Sequence, residues 1–386
     1  MAGKLLIIQA AAWAADIELG VLPQRRARSV FPAGTCTVQA SFRTASAPGA
    51  HGMIANFIAP DSSPKGFSGR DWLTFPAYSQ APLLAWGIER VFLRNHDKEL
   101  VNTALPHLEA FHDWYWRERD LDNIGLITVG SYNGVLQNAR YETYDHEVDL
   151  DTLKLIPHPG RPADSNKRHN GGPQNGPWYG DIYIPANTAY LLLSERCLIN
   201  LAEQVGDHAL SARRQPRLQK GIAAMRKYMW DDARGCFLAV HRNDLRKVNP
   251  PTIGGMVPLQ AGIPTLAQAA RMAQVLATAQ WNTPIPLPTV DRKAPEYRSG
   301  SYWRGDVWPC PDFQTFQGLA RFGYSKLVAD FAGRLLDNAI KVGISEHYDS
   351  QTGAPLGVPH LGMSGVMLTM ALEGMSPRHA IRVKAA

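Results

Sequence analysis

The segment "YWRGDVW" concentrates stacking surface and charge in seven residues, Tyr302 to Trp308. Tryptophan and tyrosine faces suit sugar rings or bases, and an arginine and an aspartate can bind hydroxyl groups through paired hydrogen bonds. The alternative interpretation is structural, an aromatic cluster that plugs the core. A stretch with helical periodicity follows, so the segment is predicted to be a loop that leads into a helix.

A second cluster lies in "NARYETYDHEVDLD", residues 138–151, where acidic side chains alternate with tyrosines. A carboxylate held near aromatic rings loses solvation, so its pKa rises toward the range of a general acid. A solvated acidic loop and a cation site are the alternative interpretations. The charged residues of this cluster are Arg140, Glu142, Asp145, Glu147, Asp149 and Asp151.

A third segment, "GISEHYDSQTGAPLG" at residues 343–357, offers a partner carboxylate. Glu346 stands beside His347 and Tyr348 in a turn-rich stretch. In isolation it could equally be a surface glutamate just beyond a helix. Two carboxylates can act as a general acid and a general base. The two acidic segments and the aromatic segment together therefore indicate a carbohydrate site.

The elements that must position these segments are helical. Apolar residues recur at helical spacing over eight stretches, several of them joined in pairs by short polar links. Long connections rich in glycine, proline and aromatics separate the pairs, and loops of that length are usually functional. The long connections cover residues 57–78, 125–183, 241–263 and 282–307. The predicted helices cover residues 79–95, 99–120, 184–207, 217–237, 265–280, 312–324, 325–340 and 362–374.

Helical hairpins in series predict an all-α toroid, in which the long loops build a pocket at one end. Periodicity alone leaves an open helical solenoid as the alternative. The chain of 386 residues is 45% hydrophobic and 19% charged, which is typical of a folded globular protein. We expect a single domain over residues 1–386.

Charge and cysteine spacing argue against several other classes of protein. The net charge of +6 comes from scattered residues, which favours a solvated surface over a nucleic-acid site. Four cysteines without Cys-x-x-Cys spacing fit a reducing compartment and indicate no zinc site. Gln9 interrupts the apolar N-terminus, which is predicted to be a buried helix rather than a secretory signal. No stretch reaches the roughly 20 apolar residues of a membrane span, so a cytoplasmic protein without a membrane partner is expected.

The order of the motifs resembles the catalytic domain of glycoside hydrolase family 63 and its relatives, the trehalase and glucosylglycerate or mannosylglycerate hydrolase group. "YWRGDVWP", the helix ending "GLARFGY" and then "SEHYDSQTGAPLG" are similar to its C-terminal half. "HGMIANFIAP", "YSQAPLLAW" and "RDLDNIGLITVGS" resemble earlier segments, so the similarity spans roughly residues 51–373. The resemblance implies an (α/α)6 barrel of the six-hairpin glycosidase type. It also implies an inverting mechanism on an α-glycosidic bond, without a cofactor or metal.

The resemblance further implies roles for particular residues. Glu346 is similar to the general base. Asp145 is the match for the general acid, because the family's Glu-Ser-Gly-x-Asp segment aligns with the stretch that begins at Glu142. An anionic aglycone would suit a pocket that carries two arginines, Arg140 and Arg304. The implied substrate-binding positions are Gln80, Arg140, Glu142, Tyr302, Trp303, Arg304 and, as a pocket wall, Trp308.

Three features depart from the family pattern. The acid loop is one residue shorter between its glutamate and its aspartate, which leaves Glu147, or less readily Asp149, as a rival of Asp145. Asp306 replaces the usual proline of Trp-x-Gly-Pro, and we expect it to add a charge near the sugar. The Trp-Asp segment that opens the barrel is not evident before His51, and residues 1–50 match poorly. An incomplete ring with a more open pocket is therefore expected.

The sequence thus predicts an inverting hydrolase of a small α-glucoside or α-mannoside, a disaccharide or a glycosylglycerate. A carbohydrate-binding protein on the same scaffold, with weak or no catalysis, is the alternative. A sugar epimerase on a helical toroid would need paired catalytic histidines, and no spacing singles out a pair among His112, His146 and His347. The oligomeric state is not predicted.

Overall fold

The computed structural model describes residues 81–128, 182–247, 250–295 and 297–380, which are mainly helical. Short strands form separate two-stranded antiparallel pairs, β1 with β4, β2 with β3 and β5 with β6. The helices are α1 Leu84–Asn95, α2 Lys98–Glu118, α3 Pro185–Val205, α4 His208–Ala224, α5 Leu266–Leu276, α6 Pro309–Arg321, α7 Ser325–Val342 and α8 Val366–Leu372. The strands are β1 Ile182–Tyr183, β2 Trp230–Asp231, β3 Cys236–Phe237, β4 Val240–His241, β5 Ser345–Tyr348 and β6 Pro355–Pro359. Within these ranges, no helix is both long and apolar enough to cross a bilayer.

The predicted hairpins are confirmed for α1–α2, α3–α4 and α6–α7. The first two have links of only two residues, and each link begins with a left-handed residue, His96 or Gly206, that ends the preceding helix. The second link residue is an aspartate N-cap. Asp97 and Asp207 accept hydrogen bonds from the backbone N–H three residues ahead, at 3.0 and 2.9 Å. Links this tight make the paired helices run antiparallel.

The core is organised around α3 and α6. α3 is buried around most of its circumference and contacts α1, α2 and α4, as expected of a helix that is apolar on nearly every side. α6 packs against α7, α8 and the 3-10 turn Val257–Leu259. Gly318 permits this last contact, because a Cβ there would lie 2.4 Å from the Cβ of Leu259. α6 is thereby fixed in position, and its N-terminus carries the aromatic segment.

The prediction of one helix over residues 217–237 is wrong at both ends. α4 already begins at His208, after the Asp207 cap, and tolerates an internal proline, Pro216. It passes through a π-helical turn, Met225–Met229, into the hairpin formed by β2 and β3. A local hydrogen bond stabilises the hairpin turn: the Asp231 carboxylate accepts the N–H of Arg234 at 2.8 Å. Short polar side chains that bond the nearby backbone favour turns over helix, which helical periodicity does not register.

A buried carboxylate ties α2, α3 and α4 together. Glu195 is fully buried and accepts hydrogen bonds from Arg214 Nε at 3.0 Å and from the Trp116 indole at 2.6 Å. His112 Nδ1 lies 3.4 Å from the same carboxylate. Burial acts to raise the pKa of Glu195, but His112 and Arg214 outweigh it and hold this pKa at about 2. His112 is thus part of a structural ion-pair network.

Replacing Glu195 by glutamine is expected to lower the free energy of unfolding by about 3–5 kcal/mol, because buried Arg214 loses its buried carboxylate partner and keeps only the partly exposed Asp113. Urea unfolding at neutral pH measures the loss. Glu203→Gln is the matched control, since Glu203 forms an exposed pair with His208 and its removal should change little. The stabilisation by Glu195 is present above the unfolded pKa and should disappear as the pH falls toward 2. Equal effects of the two substitutions would contradict the assignment.

Candidate active site

The aromatic segment folds as a tight turn immediately before α6. Tyr302–Arg304 form one turn of 3-10 helix, in which Tyr302 adopts a positive φ of 58°. Gly305 follows with φ 154°, and a Cβ at this position would lie 2.8 Å from the Tyr297 ring. Only glycine avoids this clash. The turn brings the two tryptophans of the segment face to face.

Three rings form a continuous stack. Trp303 and Trp308 are nearly parallel, with ring centroids 4.0 Å apart, and His347 also stacks on Trp308, with ring centroids 4.7 Å apart. Tyr302 stands edge-on to the stack, 5.0 Å from Trp308. Both tryptophans are 3% exposed, whereas Tyr302 is 42% exposed. The buried stack is therefore a rigid support, and Tyr302 is its solvent-facing member. Arg304, from the same turn, is half-buried.

Asp306 is completely buried and does not act as an exposed charge. Its Oδ1 accepts the N–H of Gly300 at 2.6 Å. Its Oδ2 lies 3.0 Å from His347 Nδ1, at ion-pair distance although not in line for a hydrogen bond. The expected extra charge near the sugar is thus found inside the fold. There it holds the turn against the strand that carries His347.

A backbone bridge joins the aromatic segment to the second carboxylate segment. Val307 and Tyr348 exchange N–H···O bonds of 2.8 and 3.0 Å. The Tyr348 hydroxyl donates to Gly343 O at 2.8 Å and accepts the Ser345 N–H at 3.0 Å, and burial raises the pKa of this phenol. These bonds fix β5 beside the aromatic stack, which brings Glu346 next to it.

Glu346 lies in β5, adjacent to the stacked His347. Its Oε2 accepts the N–H of Val358 at 2.8 Å from the facing strand β6. β6 bulges here at Gly357, with φ 71°, and a Cβ at Gly357 would lie 2.4 Å from the same oxygen. Oε1 accepts no hydrogen bond from the described residues. One carboxylate oxygen is therefore held in place, while the other can take a proton.

The remaining predicted site residues lie outside the described residues. The structure therefore brings together Tyr302, Trp303, Trp308 and Glu346, and it adds His347, which sequence reasoning did not assign to the site. Asp306 was expected as a charge near the sugar and is instead the buried partner of His347. In the part of the chain that is described, no three His, Cys, Asp or Glu side chains are arranged to hold a metal ion. The undescribed positions are Gln80, Arg140, Glu142, Asp145, Glu147 and Asp149.

A second buried carboxyl lies one helical turn beyond Trp308. Asp312 in the first turn of α6 is fully buried, and neither of its oxygens has a hydrogen-bond partner within the described ranges. Burial raises the pKa of Asp312 well above its usual range. Neutral Asp312 is therefore the form that the folded protein prefers.

Asp312→Asn is expected to stabilise the protein increasingly as the pH rises. Because the folded-state pKa is raised, wild type loses stability from the unfolded pKa of about 4 upward, by about 1.4 kcal/mol per pH unit until the folded pKa is reached. Asparagine is neutral throughout and avoids this loss. Urea unfolding of both proteins at several pH values between about 4 and 8 measures the difference. A difference that does not change with pH would contradict an ionisable Asp312.

The chain matches known carbohydrate-active proteins over most of its length. Residues 38–364 match the family model of the mannosylglycerate hydrolase MGH1-like glycoside hydrolase domain. A mannosylglycerate hydrolase of Thermus thermophilus is 23% identical over 351 residues, which cover 80% of this chain and 82% of that protein. Mannosylglycerate hydrolase MGH1 of Selaginella moellendorffii is 22% identical over 352 residues, 82% of this chain and 71% of that protein.

Solved structures agree on the fold. A crystal structure of a family 63 mannosylglycerate hydrolase from Thermus thermophilus, in complex with Tris and D-glycerate, superposes with a TM-score of 0.69 at 21% identity over 85% of each chain. Neutral trehalase Nth1 of Saccharomyces cerevisiae gives a TM-score of 0.56 at 19% identity, over 78% of this chain and 63% of that one. At these identities the likeness shows a common fold.

Proposed function

The chain belongs to the mannosylglycerate hydrolase MGH1-like family of glycoside hydrolases, and from this premise we propose that it hydrolyses a small α-mannoside or α-glucoside with inversion at the anomeric carbon. The membership confirms the relationship to family 63 that the motifs predicted, and the chain is a glycoside hydrolase. The proposal goes further in three respects, which are the α-glycosidic linkage, inversion at the anomeric carbon and the identity of the catalytic and binding residues. They rest on the site described above.

The observation that carries the proposal is the geometry of Glu346. A general base of an inverting enzyme needs one oxygen free to accept a proton from water and a fixed orientation toward the sugar. The Val358 N–H holds Oε2 at 2.8 Å, and the bulge at Gly357 leaves room for it. Oε1 is left to activate the water. Because His347 stacks on Trp308, the backbone of Glu346 is fixed to the aromatic support.

The general acid is proposed to be Asp145, with Glu147 as the rival. In an inverting mechanism the acid protonates the leaving oxygen while the base activates water on the opposite face of the sugar, with the two carboxyls about 6.5–9.5 Å apart. Attack of this water on the anomeric carbon gives a sugar product with inverted configuration at that carbon. The assignment of Asp145 rests on its place in the family motif.

The substrate is proposed to be of the glycosylglycerate or disaccharide type. Tyr302, the exposed ring of the aromatic segment, would stack on a sugar face, since aromatic rings suit the apolar face of a pyranose. Arg304 and Arg140 would bind an anionic aglycone such as a glycerate carboxylate. The mannosylglycerate hydrolase relatives are consistent with this class. Gln80 and Glu142 complete the proposed sugar-binding set, and the buried Trp303 and Trp308 support Tyr302 from behind.

The scaffold is proposed to be an (α/α)6 toroid formed by one domain over residues 1–386. The three helical hairpins with short links support this arrangement, as does the likeness to family 63 and trehalase structures, which have that fold. In such a toroid the long connections meet at one end. The aromatic turn belongs to one of these connections, and the β5–β6 hairpin lies in the segment between α7 and α8.

The test is proton NMR of the purified protein with trehalose, kojibiose, nigerose, maltose, glucosylglycerate and mannosylglycerate. The expected result is initial release of the β-anomer of the sugar from at least one α-linked substrate, glycosylglycerates first. Initial release of the α-anomer from a glycosylglycerate would contradict inversion, whereas trehalose, whose leaving sugar is itself an α-glucose, would give one α- and one β-glucose. Binding of sugars without turnover of any member would contradict the proposed reaction and favour a catalytically weak carbohydrate-binding protein.

A further inference from the structure

A cavity of about 570 Å³ lies among α1, α3, α6 and α7, away from the candidate active site. The residues of α6 that line it are in the second half of the helix and include Arg321 at its C-terminal end. Trp308 precedes the opposite end of this 13-residue helix, which is about 20 Å long at 1.5 Å per residue. Cavities of this size are typical of small-molecule sites. The cavity is thus distinct from the aromatic segment.

The acidic groups of the cavity are already engaged by neighbouring donors. Glu89 accepts hydrogen bonds from Cys197 Sγ at 2.9 Å and from the Asn200 amide at 2.8 Å. Glu373 pairs with Arg90 and accepts a 3.3 Å hydrogen bond from Gln317. Neither carboxylate is left as an unsatisfied acceptor. The cavity carries three arginines against these two glutamates, so its net charge is positive.

Two arginines of the cavity, Arg196 and Arg321, make no hydrogen bond or ion pair to a carboxylate within the described ranges. The Nε of Arg196 is buried and has no hydrogen-bond partner in the part of the chain that the structure describes. Burial, and then repulsion by Arg321, lower the pKa of the Arg196 guanidinium. Arg321 rests against Gly262, where a Cβ would lie 2.9 Å from its Nε. Arg196 is half-buried and Arg321 is exposed, and both line the same cavity, where a bound anion would relieve the repulsion between them.

We propose that this cavity binds a phosphate group through Arg196 and Arg321, either as free phosphate or as a small phosphate monoester. Guanidinium groups present several donors in a fixed fork that matches phosphate oxygens. Gln260 lines the same cavity, and its buried Oε1 has no donor among the described residues, so it suits the hydroxyl of a hydrogen phosphate. Apolar walls, which include Trp86 and Leu193, leave room for the remainder of a monoester.

The test is calorimetric titration of the full chain with inorganic phosphate, and separately with methyl phosphate, at constant ionic strength. Saturable binding of one ion per chain is expected, at least tenfold weaker in Arg196→Met and in Arg321→Met. Arg234→Met is the control, because Arg234 is exposed on the β2–β3 turn outside the cavity, and it should bind as wild type does. Tighter binding of methyl phosphate would identify the monoester, and binding of phosphate alone would identify the free ion. Absence of saturable binding of both would overturn the proposal.

A second variant guards against loss of folding in the arginine variants. Ser325 lines the cavity and is the first residue of α7, where an added acidic side chain is favourable to the helix. Ser325→Glu should therefore fold well while its carboxylate pairs with Arg321 and excludes the anion. Loss of phosphate binding with an unchanged unfolding temperature is the expected result. Unchanged binding by Ser325→Glu would contradict the site.

Discussion

Glu346→Gln is expected to lower kcat by about 10³-fold or more while leaving sugar binding nearly intact. The amide oxygen of glutamine can still accept the Val358 N–H that now bonds Oε2 at 2.8 Å, so the β5–β6 hairpin should keep its geometry. The amide cannot take a proton from water, however, and general-base assistance is typically responsible for about 10²–10⁴ of the rate. Initial-rate kinetics on the best substrate of the NMR panel, together with calorimetric binding, measure both quantities.

Gln351→Glu is a useful contrast, because it adds a carboxylate close to the site without removing one. Gln351 lies in the turn between β5 and β6 and donates to the Tyr297 hydroxyl at 2.8 Å. The Gln351→Glu variant should retain most of the hydrolytic activity. If Glu346→Gln hydrolysed the substrate as fast as the parent, Glu346 would not be the general base. Loss of sugar binding together with turnover would instead indicate a role in substrate positioning.

Asp145→Asn is expected to produce the second large loss, again about 10²–10⁴-fold in kcat, because the leaving oxygen would depart without a proton. The effect should depend on the substrate. An aryl α-glycoside whose leaving group is a weak base needs little protonation, so its hydrolysis should be impaired far less than that of a glycosylglycerate. Steady-state kinetics with both substrates separate the loss of an acid from a loss of folding.

Glu147→Gln is the matched control for Asp145→Asn, since both residues lie in the same acidic loop. It should hydrolyse both kinds of substrate as the parent does. If Asp145→Asn kept full activity while Glu147→Gln lost it, the alignment of that loop would be displaced by two residues and Glu147 would be the acid. The proposal for Glu346 would stand in that case.

The sequence by itself determined the class of fold and the family. Helical periodicity depends on residues within a few positions of one another, so α2, α3 and α7 were predicted to within two residues at each end, whereas α1 begins later than predicted, at Leu84. The order of the motifs "YWRGDVWP" and "SEHYDSQTGAPLG" similarly indicated a glycoside hydrolase of the family 63 group. The same periodicity wrongly extended a helix through the turn at Asp231. The Asp231 side chain bonds the nearby backbone there, and a helical pattern of apolar residues does not register such bonds.

The arrangement of the site was decided only by the tertiary structure. The Val307–Tyr348 bridge joins residues 41 positions apart, and no periodicity contains that information. The sequence suggested that Asp306 adds a charge near the sugar, whereas in the folded protein it lies in the interior against His347. The cavity that contains Arg196 and Arg321 needs side chains from several helices. Contacts between distant segments depend on how the elements pack, and packing is a property of the whole chain.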